Sequence, residues 1–324
     1  MRNNRLCQLL GIKYPIIQGG MAWVSDWHLV TACSRAGILG TIGAGSMTLD
    51  EIRMNIEKIC NQTDKPFAVN VPILRPDSAD ICTLALEMGV KIFITAAGTP
   101  EKVVPFLKQS GVTAIHVVPS VKGAKKAKAA GADAVVCEGY EAGGHNSPLE
   151  VTTFALIPQV VDAVEVPVVA AGGIADGRGI AAAMALGAEG VQMGTRFIAT
   201  KECKTHDNFK RLILEADDTG TCIIGRKLNL MRVIRNEFAA KMEHAEKTGA
   251  NNEDLMEIIG DEVNRSRSAA KEGDIEEGAF QAGQSSGLID DILTVSGLIK
   301  RLVAEYDSAR QALLPLAENQ QDDI

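Results

Sequence analysis

Through the first 200 residues of the chain, short β-branched runs ending in small residues alternate with longer stretches of helical periodicity. Eight such runs stand out: 15–20 (PIIQGG), 39–45 (LGTIGAG), 66–72 (PFAVNVP), 90–97 (VKIFITAA), 113–118 (TAIHVV), 134–139 (AVVCEG), 167–173 (PVVAAGG) and 190–197 (GVQMGTRF). Their starts lie 21 to 33 residues apart, room for a strand, a helix and two loops. The segments between them carry helix signals. Ser25 and Asp26 open one, residues 48–51 (TLDE) have the form of a capping box, and Gly37, Gly89 and Gly187 mark C-terminal stops. A doubly wound sheet also alternates in this way, but it more often uses five or six strands with a nucleotide turn after the first. Eight even units predict an α/β protein built as a (β/α)8 TIM barrel.

After Thr200 the pattern changes. Residues 209–278 are more charged and read as helical, with candidate helices over 212–216, 231–247 and 253–259. An amphipathic pattern then resumes at Ile289, Ile292, Leu293, Val295, Leu298, Ile299, Leu302 and Val303, as expected of the eighth outer helix returning to the barrel. The expected partition is a barrel over 1–208 completed by a helix at 283–314, with a helical lid and substrate domain over 209–282 inserted after strand eight. A polar tail, 318–324, follows.

Composition narrows the function. In 324 residues the chain carries 33 basic and 41 acidic side chains, a net charge of −8, and only 4% aromatic residues. An acidic, aromatic-poor chain is a poor partner for nucleic acid, which rewards cationic surfaces and stacking platforms. The seven cysteines (Cys7, Cys33, Cys60, Cys82, Cys137, Cys203 and Cys222) form no CxxC pair and cannot all pair, so a reducing, cytoplasmic setting is expected. The apolar run at 9–12 is too short for a signal segment and no stretch approaches a membrane span.

In such barrels the chemistry sits at the C-terminal strand ends, with a phosphate often held after strands seven and eight. Gly172 and Gly173 end strand seven and Gly194-Thr195 ends strand eight, so backbone N–H groups can approach a phosphate there with no Cβ in the way. Each loop alone also reads as a plain turn, but two at consecutive strand ends favour the cradle. No Gly-Lys dipeptide occurs, which excludes a P-loop, and Thr48 stands where a dinucleotide fingerprint beginning at Gly43 needs its third glycine. His145 lies on the glycine loop after strand six, at the same rim, and imidazole is the side chain best suited to proton transfer near neutral pH. His28, His116, His206 and His244 have no comparable setting, and no His or Cys spacing resembles a metal site. Gly20, Met21, Ala22 and Trp23 after strand one, with Asn70 at the end of strand three, suit the edge of a flavin; rim packing is the plainer reading of Met21 and Trp23.

Together, Gln18-Gly19-Gly20-Met21-Ala22-Trp23-Val24, Asp64-Lys65-Pro66-Phe67 with Val69-Asn70, Glu138-Gly139-x-Glu141-Ala142-Gly143-Gly144-His145, the stretch 167–177 and Gln192-x-Gly194-Thr195-Arg196-Phe197 make a specific set. With them the chain resembles the FMN-dependent enoyl-acyl-carrier-protein reductase II family, within the nitronate monooxygenase (2-nitropropane dioxygenase-like) superfamily. The resemblance implies FMN held by Gly20, Met21, Ala22, Asn70, Ala97, Glu138, Gly143, Gly144, Gly172, Gly173, Gln192, Gly194 and Thr195, with His145 as the catalytic residue facing it. It implies NAD(P)H as co-substrate and a small-molecule or acyl-carrier-protein-linked trans-2-enoyl thioester; some relatives also need a monovalent cation, and a homodimer is compatible with it. Glu138 resembles the reductase branch, since many nitronate monooxygenases carry Gln there; Gln281, Ser285-Ser286 and 146–150 depart from the reductase pattern. Nitronate monooxygenase, NAD(P)H:quinone reductase and a non-catalytic flavin-binding protein are the alternatives. Of two basic groups, Lys122, Lys125, Lys126 and Lys128 read as a solvated helix face, whereas Arg226, Lys227, Arg232 and Arg235 in the lid are expected to steer an acidic carrier protein.

Overall fold

Every one of the eight runs forms a strand of one parallel sheet. A computed structural model describes residues 4–312, so Leu313, Leu314 and the tail 318–324 lie outside the described residues. The strands are, in chain order, β1 (Ile16–Gln18), β2 (Gly40–Gly43), β3 (Phe67–Pro72), β4 (Ile92–Ala96), β5 (Thr113–Val118), β6 (Ala134–Glu138), β7 (Gly144–His145), β8 (Val168–Ala171), β9 (Gly190–Met193), β10 (Thr221–Ile224) and β11 (Met231–Ile234). The eight parallel strands follow the order β1-β9-β8-β6-β5-β4-β3-β2, and a bridge between Ile17 and Leu39 joins the two ends into a barrel. Each strand is buried on both faces, which is why these runs lack the polar alternation of a half-exposed sheet.

Successive residues point alternately into the barrel and out to the helices. Ile17, Leu39, Ala68, Ile94, Ile115, Val136 and Val169 fill the interior, and Leu6 and Leu10 of the helix Arg5–Leu10, with Ile12 just after it, join that cluster. The short apolar run at 9–12 is thus part of a plug under the barrel. A Cβ on Gly190 would fall 2.3 Å from Leu6 Cδ2, so the plug and the start of β9 fit only with glycine. The larger cluster lies between the sheet and the outer helices.

The inserted lid is not all helical. Residues 231–247, read as one helix, split into β11 and the helix Glu237–Lys247, and β10 pairs antiparallel with β11. Four-residue strands in a charged setting, with β11 buried throughout, leave too little periodicity to distinguish from a helix turn. The third strand of this sheet is β7, from the loop after β6, with His145 opposite Met231 and Gly144 opposite Arg232. Helices Asp207–Glu215, Asn252–Ile259 and Glu262–Arg267 supply most of the rest.

The chain leaves and re-enters the barrel at neighbouring points, Thr200 bridging to Leu293. The helix Val295–Ala312 then packs against helices Gly177–Ala185 and Trp27–Arg35 as the last member of the outer ring. The N–H of Gly177 donates to Glu305 at 2.9 Å, and a Cβ there would meet Tyr306 N at 2.2 Å. Among the described residues no helix is long and apolar enough to cross a membrane, and all seven cysteines are free.

Candidate active site

A cavity of about 670 Å³ opens at the C-terminal ends of the strands. It is lined by Gly20, Met21, Ala22, Asn70, Ala97, Glu138, Gly143, Gly144, His145, Gly172, Gly173, Gln192, Gly194 and Thr195. The fourteen positions that the family resemblance implies therefore meet in one place, drawn from the ends of six different strands. Trp23 does not; it lines a shallow groove outside, and its N–H donates to Ser46 Oγ at 2.8 Å.

The floor near β1 is set by Gln18. This fully buried side chain donates to Ser25 Oγ at 2.8 Å and accepts the Thr41 N–H at 3.0 Å, while Ser25 Oγ accepts the Met21 N–H at 3.0 Å. The loop is pinned from beneath and presents the Gly20, Met21 and Ala22 main chain to the cavity. Gly20 admits no side chain, since a Cβ would lie 2.4 Å from Asn70 Cβ. Asn70 donates to the Gly20 carbonyl at 3.2 Å, and its Oδ1 is buried with no partner. A buried acceptor left open costs about 1–3 kcal/mol, so a ligand N–H at this point is chemically called for. Ala97, at the end of β4, takes a left-handed φ of 49°, unusual strain for a residue with a side chain and located at the cavity wall.

The rims of β8 and β9 differ in kind. Gly172 and Gly173 have φ of 95° and 74°, and a Cβ on Gly172 would approach Gly139 O at 2.9 Å and Thr153 Oγ1 at 3.0 Å. Gly194 has φ −104° and precedes the one-turn helix Thr195–Ile198; only Met21 Sδ, at 3.3 Å, stands near its absent side chain. The opening N–H groups of such a turn have no intrahelical acceptor. Glycine loops and a helix start facing one cavity, with an orphan amide oxygen across it, fit a ligand with a phosphate tail and an imide-bearing ring, as FMN has.

The loop after β6 carries the titratable groups. Glu141 is structural: its carboxylate accepts the Thr153 N–H at 2.9 Å and hydroxyl at 3.0 Å. Burial pushes the Glu138 carboxyl up to about 7, with the nearby His145 pulling the other way. His145 is exposed, its Nε2 2.7 Å from Glu262 Oε1. Sequence reading gave no sign of Glu262, because only the folded lid brings it to this loop. Gln281, Gly283 and Ser285 line the cavity as well; the Gln284 N–H donates to Glu141 O at 2.9 Å and Gln281 Nε2 to Ser266 Oγ at 3.0 Å. His116, assigned no functional setting from sequence, also reaches the cavity wall, where burial lowers it to about 4 and Thr95 Oγ1 lies 2.7 Å from Nδ1.

The basic lid group is not a free patch. Arg226 pairs with Glu150 and donates to the Tyr140 hydroxyl at 2.8 Å, and the buried Arg232 donates to Tyr140 O at 3.0 Å. Arg235 pairs with Glu243, and Lys227 donates to Ala250 O at 2.9 Å. These cations hold the lid to itself and to the β6 loop. Among the described residues no group of three or more His, Cys, Asp or Glu could hold a metal ion.

The closed barrel and its cavity belong to an oxidoreductase, as the sequence family it matches and the solved structures it resembles show. The sequence model of the nitronate monooxygenase family matches residues 3–305, and the chain belongs to that family. It is similar to FabK from Thermotoga maritima, at 43% identity and a TM-score of 0.92 over 97% of this chain and 99% of that one. It is 33% identical to (3aS,4S,5R,7aS)-5-hydroxy-7a-methyl-1-oxo-octahydro-1H-indene-4-carboxyl-CoA dehydrogenase of Mycobacterium tuberculosis, over 97% of this chain and 98% of that protein. A probable nitronate monooxygenase of Staphylococcus saprophyticus is 36% identical over 74% of this chain and 81% of its own.

Proposed function

We propose that the protein is an FMN-dependent, NAD(P)H-consuming reductase of trans-2-enoyl thioesters, of the enoyl-acyl-carrier-protein reductase II type. The observation that carries this reading is the near full-length likeness to FabK at 43% identity. A relative named for a carboxyl-CoA substrate supports the thioester class. Gly172, Gly173, Gly194 and Thr195 would hold the phosphate of FMN, and Asn70, Glu138, Gln192 and the Gly20 to Ala22 main chain would hold its ring. Bound FMN supplies hydride transfer from a nicotinamide donor to the enoyl β-carbon. His145 then serves the α-carbon: the new C–H bond there takes its proton from the imidazolium, leaving a neutral ring. Phe209, Ala270 and Ala279 give the lid side of the cavity an apolar lining.

The nitronate monooxygenase reading has the family match in its favour. There His145 would act neutral, as a base. Anaerobic incubation of the flavin-loaded protein with NADH or NADPH and crotonyl thioester tests the proposal. The expected result is stoichiometric loss of nicotinamide absorbance with thioester reduction. Turnover of a nitronate without any nicotinamide, and none of the thioester, would overturn it.

A further inference from the structure

The lysines at 122, 125, 126 and 128, read from sequence as one solvated helix face, are separated by the fold. Lys122 and Lys125 are exposed on the helix Val121–Ala129, and Lys128 pairs with Glu165. Lys126 is exposed too, but it lines the cavity, and among the described residues it is the only lysine or arginine that does. It forms no ion pair with any described residue. The cavity reaches this helix by running outward over the ends of β4 and β5. Ile94 and Ile115 point into the barrel, so their neighbours Thr95 and His116, opposite one another in register, point toward the helices. His116 is buried and still lines the cavity, its Nδ1 2.7 Å from Thr95 Oγ1. Gly98, Thr99 and Pro100 after β4, with Pro119 and Gly123 after β5, line it as well, and no acidic residue between Ala96 and Lys126 does. The glycine rims given to the flavin phosphate follow β8 and β9, whereas this helix follows β5 and packs on β5 and β6, which leaves Lys126 for another anion.

A single cation at the opening of a cavity, on a chain of net charge −8, draws an anion to that point and to few others. We propose that Lys126 binds a phosphate of the co-substrate, so that the branch over β4 and β5 holds the end of that molecule that does not react. This rests on the reading of the protein as an NAD(P)H-dependent thioester reductase. Both of its co-substrates, a nicotinamide dinucleotide and a pantetheine-linked thioester, carry phosphate remote from the reacting atoms. The ammonium donates a charge-assisted hydrogen bond to such a phosphate. The contact is made alike in the ground and transition states, so it sets KM and leaves kcat.

The test compares Lys126→Met and Lys126→Arg with Lys125→Met, whose lysine precedes it on the same helix and does not line the cavity. Titration calorimetry of the flavin-loaded protein with NADP⁺ and with coenzyme A as probes reads binding without turnover. At least one probe should bind about fivefold or more weakly to Lys126→Met, near wild type to Lys126→Arg and at wild-type strength to Lys125→Met. Raising KCl from about 50 to about 300 mM should weaken that probe's binding to wild type more than to Lys126→Met. In turnover by Lys126→Met, the KM of NAD(P)H or of crotonyl-CoA should rise by a similar factor with kcat within about twofold. The KM of crotonyl-N-acetylcysteamine, a thioester without phosphate, should not change. A loss with NADP⁺ puts the dinucleotide in the branch, and a loss with coenzyme A puts the thioester's carrier there. Equal binding of both probes to wild type and Lys126→Met, binding of neither to wild type, or an equal loss in Lys125→Met overturns the proposal. Should no thioester be reduced at all, the functional reading fails while the titrations still decide this one.

Discussion

The Gly283 N–H donates to the Thr195 hydroxyl at 2.9 Å, fastening the segment that leaves the lid to the first residue of the one-turn helix after β9. The bond is buried, so Thr195→Val leaves an N–H without a partner and should destabilise the protein by about 1–3 kcal/mol. Urea unfolding of the flavin-free protein measures it, and Thr195→Ser should restore the loss. A Thr195→Val variant as stable as wild type would mean that the strap is held elsewhere.

The two rim glycines should respond unequally. Gly172→Val forces a branched side chain into a left-handed backbone and against Gly139 O, whereas Gly194→Val meets only the movable Met21 thioether. Flavin content after reconstitution should therefore be abolished in Gly172→Val and reduced but measurable in Gly194→Val, with near-native circular dichroism in both. Equal flavin occupancy in the two variants would contradict the cradle described at β8.

His145→Ala should retain FMN and lose turnover by about 10²–10⁴, the span of a missing general acid or base. Stopped-flow separates the halves: flavin reduction by NAD(P)H should be nearly unaffected and reoxidation by enoyl thioester slowed. Wild-type rates in both halves would return His145 to the structural histidines.

Glu138 sets a pH dependence of stability. With its carboxyl lifted from 4.5 to about 7 by burial, the native state keeps a proton that the unfolded chain has already released. Stability contributed at this site is thus fully present below about 4.5 and falls as pH rises toward 7. Glu138→Gln, neutral throughout, should be more stable than wild type at pH 8 by on the order of 1–3 kcal/mol and no more stable at pH 4.5. Paired denaturation curves on the flavin-free protein at the two pH values check this, and a constant difference between them would count against burial as the cause.

What could be read from the chain was the part written in local pattern. Seven of the eight strand runs, all but the one that forms β2, end in residues that face the cavity, so strand period and loop glycines located both the barrel and its rim. Features made by distant contact were not legible. Glu262 is one acidic residue among many until the lid folds against β7, and Arg226 and Arg232 look like free charge until Glu150 and Tyr140 are placed beside them. Likewise β7 is two residues long, a strand only because β11 lies next to it. Nothing in the sequence around His116 shows that the end of β5 opens onto the cavity.

The placement of the final helix carries a consequence for biosynthesis. All eight strands and the whole lid precede Val295, yet Leu298, Ile299 and Leu302 are what cover the flank between helices Gly177–Ala185 and Trp27–Arg35. A nascent chain emerging from the ribosome therefore holds a nearly complete cylinder with one apolar seam unsealed until Val295–Ala312 is translated. Such an intermediate presents sticky surface to its neighbours. A chain that stops short of Val295 holds every residue that lines the cavity and still lacks the helix that seals its flank.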